Sequence, residues 1–314
     1  MSDSTDNDGP RRARRHRLDA LGLAAGAAAD FAFADPQRGH PVALFGSAVA
    51  ASERGLYRDS AARGAWFATA WTGAAVAAGL AARRLGPAGT AASAFTALGG
   101  TSLCRVGDQI ADALDDDDVE RARRAVSGLV GRDPNQLDVS GICRAAVESI
   151  AENTSDATVA PLFYGAVAGA PGLLGYRAVN TLDAMIGYRS PRYAKFGRAA
   201  ARLDDVANLA PARLTAVLVA LLSGRPVDTA RAVRRDAAAH PSPNAGVVEA
   251  AFAGALGISL GGRTAYAHAV EERPVLGDGH APQPADLRAA VRLSRRVQAA
   301  SAVLAVAVRA GRRR

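Results

Sequence analysis

Ala157-Thr158-Val159-Ala160-Pro161-Leu162-Phe163-Tyr164-Gly165-Ala166-Val167-Ala168-Gly169-Ala170-Pro171-Gly172-Leu173-Leu174-Gly175-Tyr176 is a run without an acidic or basic side chain. Its length approaches the roughly 20 residues that a membrane-crossing helix needs. Pro161, Pro171 and glycines 165, 169, 172 and 175 do not suit one straight span. A broken or re-entrant helix is tolerated where it lines a cavity inside protein. The flanks are polar: Glu152-Asn153-Thr154-Ser155-Asp156 precedes the run, and Arg177, Asn180 and Asp183 follow it. Carboxylates at the mouth of an apolar segment are costly unless paired or bound to something. The run therefore reads as a membrane element inside a polar site that extends from Arg144 to Arg213.

Working outward, Ala65 to Ala82 and Ala88 to Cys104 read as a helical hairpin turned at Arg83-Arg84 and Gly86-Pro87. Val206 to Leu222, interrupted by Pro211 and Arg213, is a further candidate span, and Val297 to Val308 a short last one. Arg11 to Arg17 followed by apolar residues up to Ala34 has the outline of a signal peptide. Asp19 and Asp30 interrupt that segment, so a first membrane or interfacial helix fits better. Residues 1–17 are expected to be a disordered polar, basic leader, and 18–314 one domain. No internal repeat and no strand-like alternation is evident. The expected fold is all-α, a polytopic integral membrane protein with roughly four to six membrane segments and polar cytoplasmic loops.

Composition agrees. Hydrophobic residues make up 49% of 314 residues but aromatics only 5%, with alanine and 32 glycines in their place. Small residues let membrane helices approach closely. A mean hydropathy of +0.02 implies sizeable polar loops beside the spans. The net charge of +8 is concentrated at Arg11–Arg17, Arg83–Arg84, Arg121–Arg124, Arg231–Arg235 and Arg309–Arg314, bordering apolar stretches as cytoplasmic loops do. Nucleic acid is not an expected partner, because no basic helix is interleaved with aromatics. Cys104 and Cys143 make neither a disulfide framework nor a metal quartet. Of 38 basic residues only Lys195 is lysine, which singles out that position. The acidic run Asp115–Asp118 reads as a helix cap.

Arg144, Glu148, Glu152 and Asp156 recur every fourth residue, along one helix face. On spacing alone a solvated, salt-bridged face accounts for them. Arg177, Asn180 and Asp183 share a side of the next helix. Arg189, Arg192, Lys195 and Arg198 then form a basic, glycine-bounded segment, read equally well as a phosphate cluster or as a positive membrane flank. Arg202-Leu203-Asp204-Asp205 and Asn208 offer adjacent carboxylates for Mg²⁺, the alternative being a helix start. His240-Pro241-Ser242-Pro243-Asn244 and His40-Pro41 are proline-stiffened turns whose histidines are more simply structural.

Taken together the strings are recognisable. Glu152-Asn153-Thr154, Pro161-Leu162-Phe163-Tyr164, Ala178 to Asp183, Gly187-Tyr188, Arg192-Tyr193, Phe196-Gly197, Ala201 to Asp205 and Pro211 to Thr215 resemble the adenosylcobinamide-phosphate synthase family, the CobD/CbiB membrane proteins of cobalamin biosynthesis. Asp35-Pro36, His40-Pro41-Val42, Gly131-Arg132-Asp133, His240 to Asn244, Glu249-Ala250-Ala251, Gly254 to Gly257 and Glu271 to Pro274 extend the likeness from residue 18 onward, in order. Ser155 departs from it, standing where a larger apolar residue is expected.

The resemblance implies a cell-membrane enzyme that joins adenosylcobyric acid to an aminopropanol or its phosphate, with ATP and Mg²⁺, its active loops facing the cytoplasm. It also implies contact with other late enzymes of the pathway. A carboxylate must be activated before it forms an amide, most simply as an acyl phosphate, and that needs charge neutralisation. On this reading Asp156, Asp204 and Asp205 are metal ligands, and Glu152 a metal ligand or catalytic carboxylate. Arg189, Arg192, Lys195, Arg202 and Arg213 face ATP and the aminoalcohol phosphate, with Asn153, Arg177, Asn180, Asp183 and Asn244 as further binding residues and Lys195 also in a catalytic role. Glu148 or His240 accepts the ammonium proton. The rival readings are a Mg²⁺-dependent membrane prenyl- or phosphoalcohol transferase and a corrinoid transporter. The transporter should carry an inverted repeat.

Overall fold

The computed structural model describes residues 8–35, 39–129, 137–188, 190–265 and 270–312. The chain is nearly all-α, with fourteen α-helices and one β-hairpin among the described residues. It forms two compact units: Met1–Gly99, Ala160–Ala207 and Ser301–Arg314 make the first, and Gly100–Val159 and Asn208–Ala300 the second.

The first unit contains α1 (Asp8–Phe33), α2 (Pro41–Leu56), α3 (Ala61–Ala82), α4 (Gly86–Ala97), α8 (Ala160–Ala168), α9 (Ala170–Leu182) and α10 (Tyr193–Phe196). α1 packs on α4 and α3 on α9. These contacts need small residues. A Cβ on Gly22 or Gly26 would stand 2.4–2.5 Å from α4 carbonyl oxygens, and one on Gly79 would meet the Pro171 backbone at 2.5 Å. One apolar cluster gathers Leu23, Leu98, Leu162 and Leu173; another gathers Val49, Phe67, Leu182, Ile186 and Phe196. The same unit holds a buried ion pair, Asp19 with Arg309, to which Thr90 Oγ1 adds a hydrogen bond at 3.4 Å.

The second unit contains α5 (Gly100–Asp115), α6 (Val119–Val126), α7 (Val139–Thr154), a π turn (Ser155–Val159), α12 (Pro226–Asp236), α13 (Ala245–Leu256) and the antiparallel strands β1 (Leu260–Ala265) and β2 (Val270–Leu276). Its core gathers Ile110, Ile142, Val147, Ile150, Val219, Phe252, Ile258, Leu287 and Val297. α11 (Arg198–Leu222) and α14 (Pro284–Gly311) each contribute residues to both units. Asp118 and Asp138 cap α6 and α7 by accepting from Arg121 N at 2.9 Å and Gly141 N at 2.7 Å, so the acidic run is a cap. His40 caps α2 in the same manner, its Nδ1 accepting from Val42 N at 3.3 Å.

The expected break in the long apolar run is present, and several other expectations are corrected. The apolar run Ala157–Tyr176 is broken at Gly169, whose φ of +70° ends α8 and lets Pro171 open α9. α8 and α9 then pack on each other, with Tyr164 and Tyr176 stacked at 5.3 Å. The expected span Ala88–Cys104 is two helices, because α4 ends at Ala97 and α5 begins at Gly100. The leader is helical from Asp8, so the basic run to Arg17 continues into α1. The hairpin was not anticipated, since Leu260-Gly261-Gly262 shows no alternation and carries a register irregularity. The helical stretch Ala61–Asp115, which takes in α3, α4 and α5, and the helix Arg198–Leu222 each contain a segment long and apolar enough to cross a membrane. Over these stretches Trp66, Leu80, Leu85, Val206, Val217 and Leu221 are exposed, as expected for lipid-facing side chains.

Candidate functional site

In the second unit, α7 delivers Glu148 and α13 delivers Glu249, both buried. β2 brings Arg273 between them. Its Nη1 donates to Glu148 Oε2 at 3.0 Å and its Nη2 to Glu249 Oε1 at 3.4 Å. Glu148 Oε1 accepts the Gly261 N–H at 2.8 Å, which ties α7 to the hairpin. Gly261 has φ +78°, and a Cβ there would stand 2.0 Å from the Pro274 carbonyl oxygen. Only glycine fits at that point.

His240 closes the cluster. Its Nε2 lies 2.8 Å from Arg273 Nη2, which can only donate. Its Nδ1 lies 3.0 Å from the Ser242 N–H. A neutral ring carries one N–H, for which the Ser242 carbonyl 3.3 Å from Nδ1 is an acceptor, while Nε2 faces the Arg273 donor, so a second proton would turn an N–H toward the guanidinium. Burial first, then Arg273, holds the imidazole below its ordinary pKa. The side chain is a neutral base beside two carboxylates. Nearby, Arg213 Nη1 donates to Asn244 Oδ1 at 2.7 Å and Nη2 to the Pro243 carbonyl at 3.1 Å, tying α11 to the same turn.

In the first unit, Asn180 Nδ2 donates to Asp204 Oδ1 at 3.4 Å. Asp204 and Asp205 are adjacent and half-buried on α11, and Asp183 is half-buried one helical turn beyond Asn180. Arg192 Nη2 donates to Glu53 Oε1 at 2.8 Å and its guanidinium lies 4.1 Å from the Tyr57 ring centre. Lys195 Nζ donates to Asp59 at 2.9 Å, with both side chains more than half exposed.

Several predicted residues are therefore brought together. Glu148 and His240 meet through Arg273, Arg213 meets Asn244, and Asn180 meets Asp204. The basic segment is not a converging cluster: Arg192 and Lys195 each turn to a separate acid, Glu53 or Asp59, from a distant part of the sequence. Arg189 lies outside the described residues. Asp156 belongs to the second unit, whereas Asp204 and Asp205 belong to the first. Among the described residues no three His, Cys, Asp or Glu side chains converge as a metal group. Glu152 is exposed on α7, and Asn153 Nδ2 donates back to the Ser149 carbonyl at 2.9 Å. Arg177 is half-buried on α9 and Arg202 exposed on α11. Cys143 is an inert buried thiol, pushed up to about 12 by burial.

Arg273, Glu249, Glu53 and Asp59 were missed as site residues. Glu249 and Arg273 lie in strings that carry the family likeness, but nothing in their spacing joins them across a hairpin that the sequence pattern does not announce.

The sequence profile of the family described as "CobD/Cbib protein" matches residues 23–294. A cobalamin biosynthesis protein CobD from Mycobacterium tuberculosis (strain CDC 1551 / Oshkosh) is 57% identical, covering 91% of this chain and 95% of the relative. The Rhodobacter capsulatus protein of that name is 46% identical over 83% and 86%, and that of Chromobacterium violaceum 44% over 83% and 88%. No solved structure matches the chain.

Proposed function

This chain belongs to the CobD/CbiB family, and on that premise we propose that it acts in cobalamin biosynthesis as an amide-forming ligase. Its substrates are adenosylcobyric acid and (R)-1-amino-2-propanol or the phosphate of that alcohol. The product is adenosylcobinamide or its phosphate. The observation that carries the reading is the near full-length likeness to proteins named for cobalamin biosynthesis.

The chemistry asks for an activated carboxyl, a neutral amine and a place for the released proton. ATP phosphorylates the corrinoid carboxylate, giving an acyl phosphate and ADP. The amine nitrogen then bonds to the acyl carbon, phosphate leaves and a proton is released. His240, kept neutral and next to Glu148 and Glu249, suits the acceptor role. Arg273, pinned by both carboxylates, holds that group of side chains in one arrangement. Asp204 and Asp205 fit Mg²⁺ as hard oxygen donors side by side. Mg²⁺ commonly takes one or two carboxylates and fills its remaining positions with water and phosphate. When bound there it would neutralise charge on the transferred phosphoryl group. Lys195 sits in an exposed ion pair, which is weak enough for an incoming phosphate to replace, whereas Arg192 is held by the buried Glu53.

A strain blocked in this step provides the test. The gene should be required for growth on cobyric acid and dispensable on cobinamide. Asp204→Ala and Lys195→Ala should abolish rescue while membrane-inserted protein persists; full activity in both sinks the site. The reading also needs both polar blocks on the cytoplasmic face of a multi-pass protein. Cysteines placed at Glu152 and Ser190 should label from that side together, and labelling from opposite faces would overturn it.

A further inference from the structure

We propose that α12 carries a binding site for the phosphate of an anionic phospholipid headgroup. Pro226, Val227, Ala230, Arg231, Arg234 and Arg235 line an open groove of about 620 Å³ on the second unit. Val227, Ala230, Arg231 and Arg234 follow a spacing of three and four, which puts them on one helix face. All four are exposed, Val227 at 66%.

The three arginines differ in how they are engaged. Arg235 is committed: Nε and Nη2 donate to buried Asp236 at 2.7 and 2.8 Å, and Nη1 to Asp278 at 2.6 Å. Asp236 in turn accepts the Gly277 N–H at 2.8 Å, so this arginine anchors the helix to the strand end. Arg231 donates to Asp228 at 3.1 Å, but Asp228 also serves Arg225. Arg234 has no ion-pair or hydrogen-bond partner among the described residues. The groove therefore presents one uncommitted guanidinium and one loosely held, above an apolar floor. A planar guanidinium offers paired donors to phosphate oxygens.

Position selects the lipid as the source of that phosphate. α12 follows α11 after only Ser223, Gly224 and Arg225, and α11 is long and apolar enough to cross a membrane. Leu221, at the end of α11, is 69% exposed, and Val227 beside the groove is similarly bare. Apolar and cationic side chains thus meet where a membrane helix ends. Basic clusters at such ends attract anionic lipid by about 1 kcal/mol per residue.

The test uses the full-length protein in nanodiscs of equal phosphatidylglycerol and phosphatidylcholine, with retained lipids counted by native mass spectrometry. The wild type should retain phosphatidylglycerol selectively. Arg231→Gln with Arg234→Gln should reduce that retention by about tenfold or more. Arg121→Gln with Arg124→Gln on α6 removes the same charge and should leave retention unchanged. If the double variant does not fold, Arg234→Gln alone, which breaks no contact, should still reduce retention by about fivefold. Equal retention of both lipids, an equal loss in the α6 variant, or displacement of phosphatidylglycerol by excess inorganic phosphate would each overturn the proposal. Rescue of growth on cobyric acid reads the ligase separately, so failure here leaves that reading standing.

Discussion

Arg273 is held by two buried carboxylates and one imidazole, and each of those partners depends on it. Removing one member of a buried ion pair leaves the other charge uncompensated, typically at about 3–5 kcal/mol. Glu148→Ala should therefore lower stability by about that amount, read as a fall in melting temperature in detergent. Glu148→Gln keeps a hydrogen-bonding side chain for the Gly261 N–H and should lose less. His240 adds a pH dependence. Its pKa is lowered in the fold, so the unfolded chain binds the proton more readily. Its contribution is complete above the ordinary value of about 6.5 and is lost as pH falls below it toward the folded value. The melting-temperature difference between wild type and His240→Gln should shrink on acidification from neutral pH; a difference that grows would contradict the buried neutral ring. At this scale the sequence offered Glu148 and His240 as candidates. It did not show their partner, because Glu148 and Arg273 are 125 positions apart and no periodicity spans that distance.

Helices and breaks were more legible than ion pairs. The prolines and glycines of the run from Ala157 to Tyr176 announced an interruption, and Gly169 supplies it. Gly169 also lies against the Arg309 guanidinium, where an added Cβ would stand 3.1 Å from Nη2. Gly169→Ala should cost about 1–2 kcal/mol from left-handed backbone strain alone, measurable by thermal unfolding. An unchanged melting temperature would mean that the α8–α9 turn can be made another way. The break at Leu98-Gly99 was hidden, since alanine-rich sequence on both sides reads as one apolar segment. The hairpin was hidden for the opposite reason: after Leu260 its first strand carries two glycines at positive φ, and Glu148 rather than β-propensity ties it in place.

Across the whole molecule, the chain passes between its two units four times, after residues 99, 159, 207 and 300. Neither unit is contiguous in sequence, and the last segment, Ser301–Arg314, belongs with the first helix. A chain stopped after Ala300 lacks Arg309 and leaves the carboxylate of Asp19 buried without its principal partner. Such a truncation should lower stability by about 3–5 kcal/mol and reduce inserted protein on a membrane-fraction blot, whereas ending the chain after Arg312 should not. Composition and spacing announced helices that pack through small residues, but not which distant segments assemble together. The pair of Asp19 and Arg309, 290 positions apart, also sets a schedule. At about 5–20 residues per second the ribosome needs roughly 15–60 s to travel from one to the other. Throughout that interval the nascent chain holds an acid destined for burial whose counter-ion has not yet been made. The buried contacts of α1 are thus completed only after Arg309 has been made.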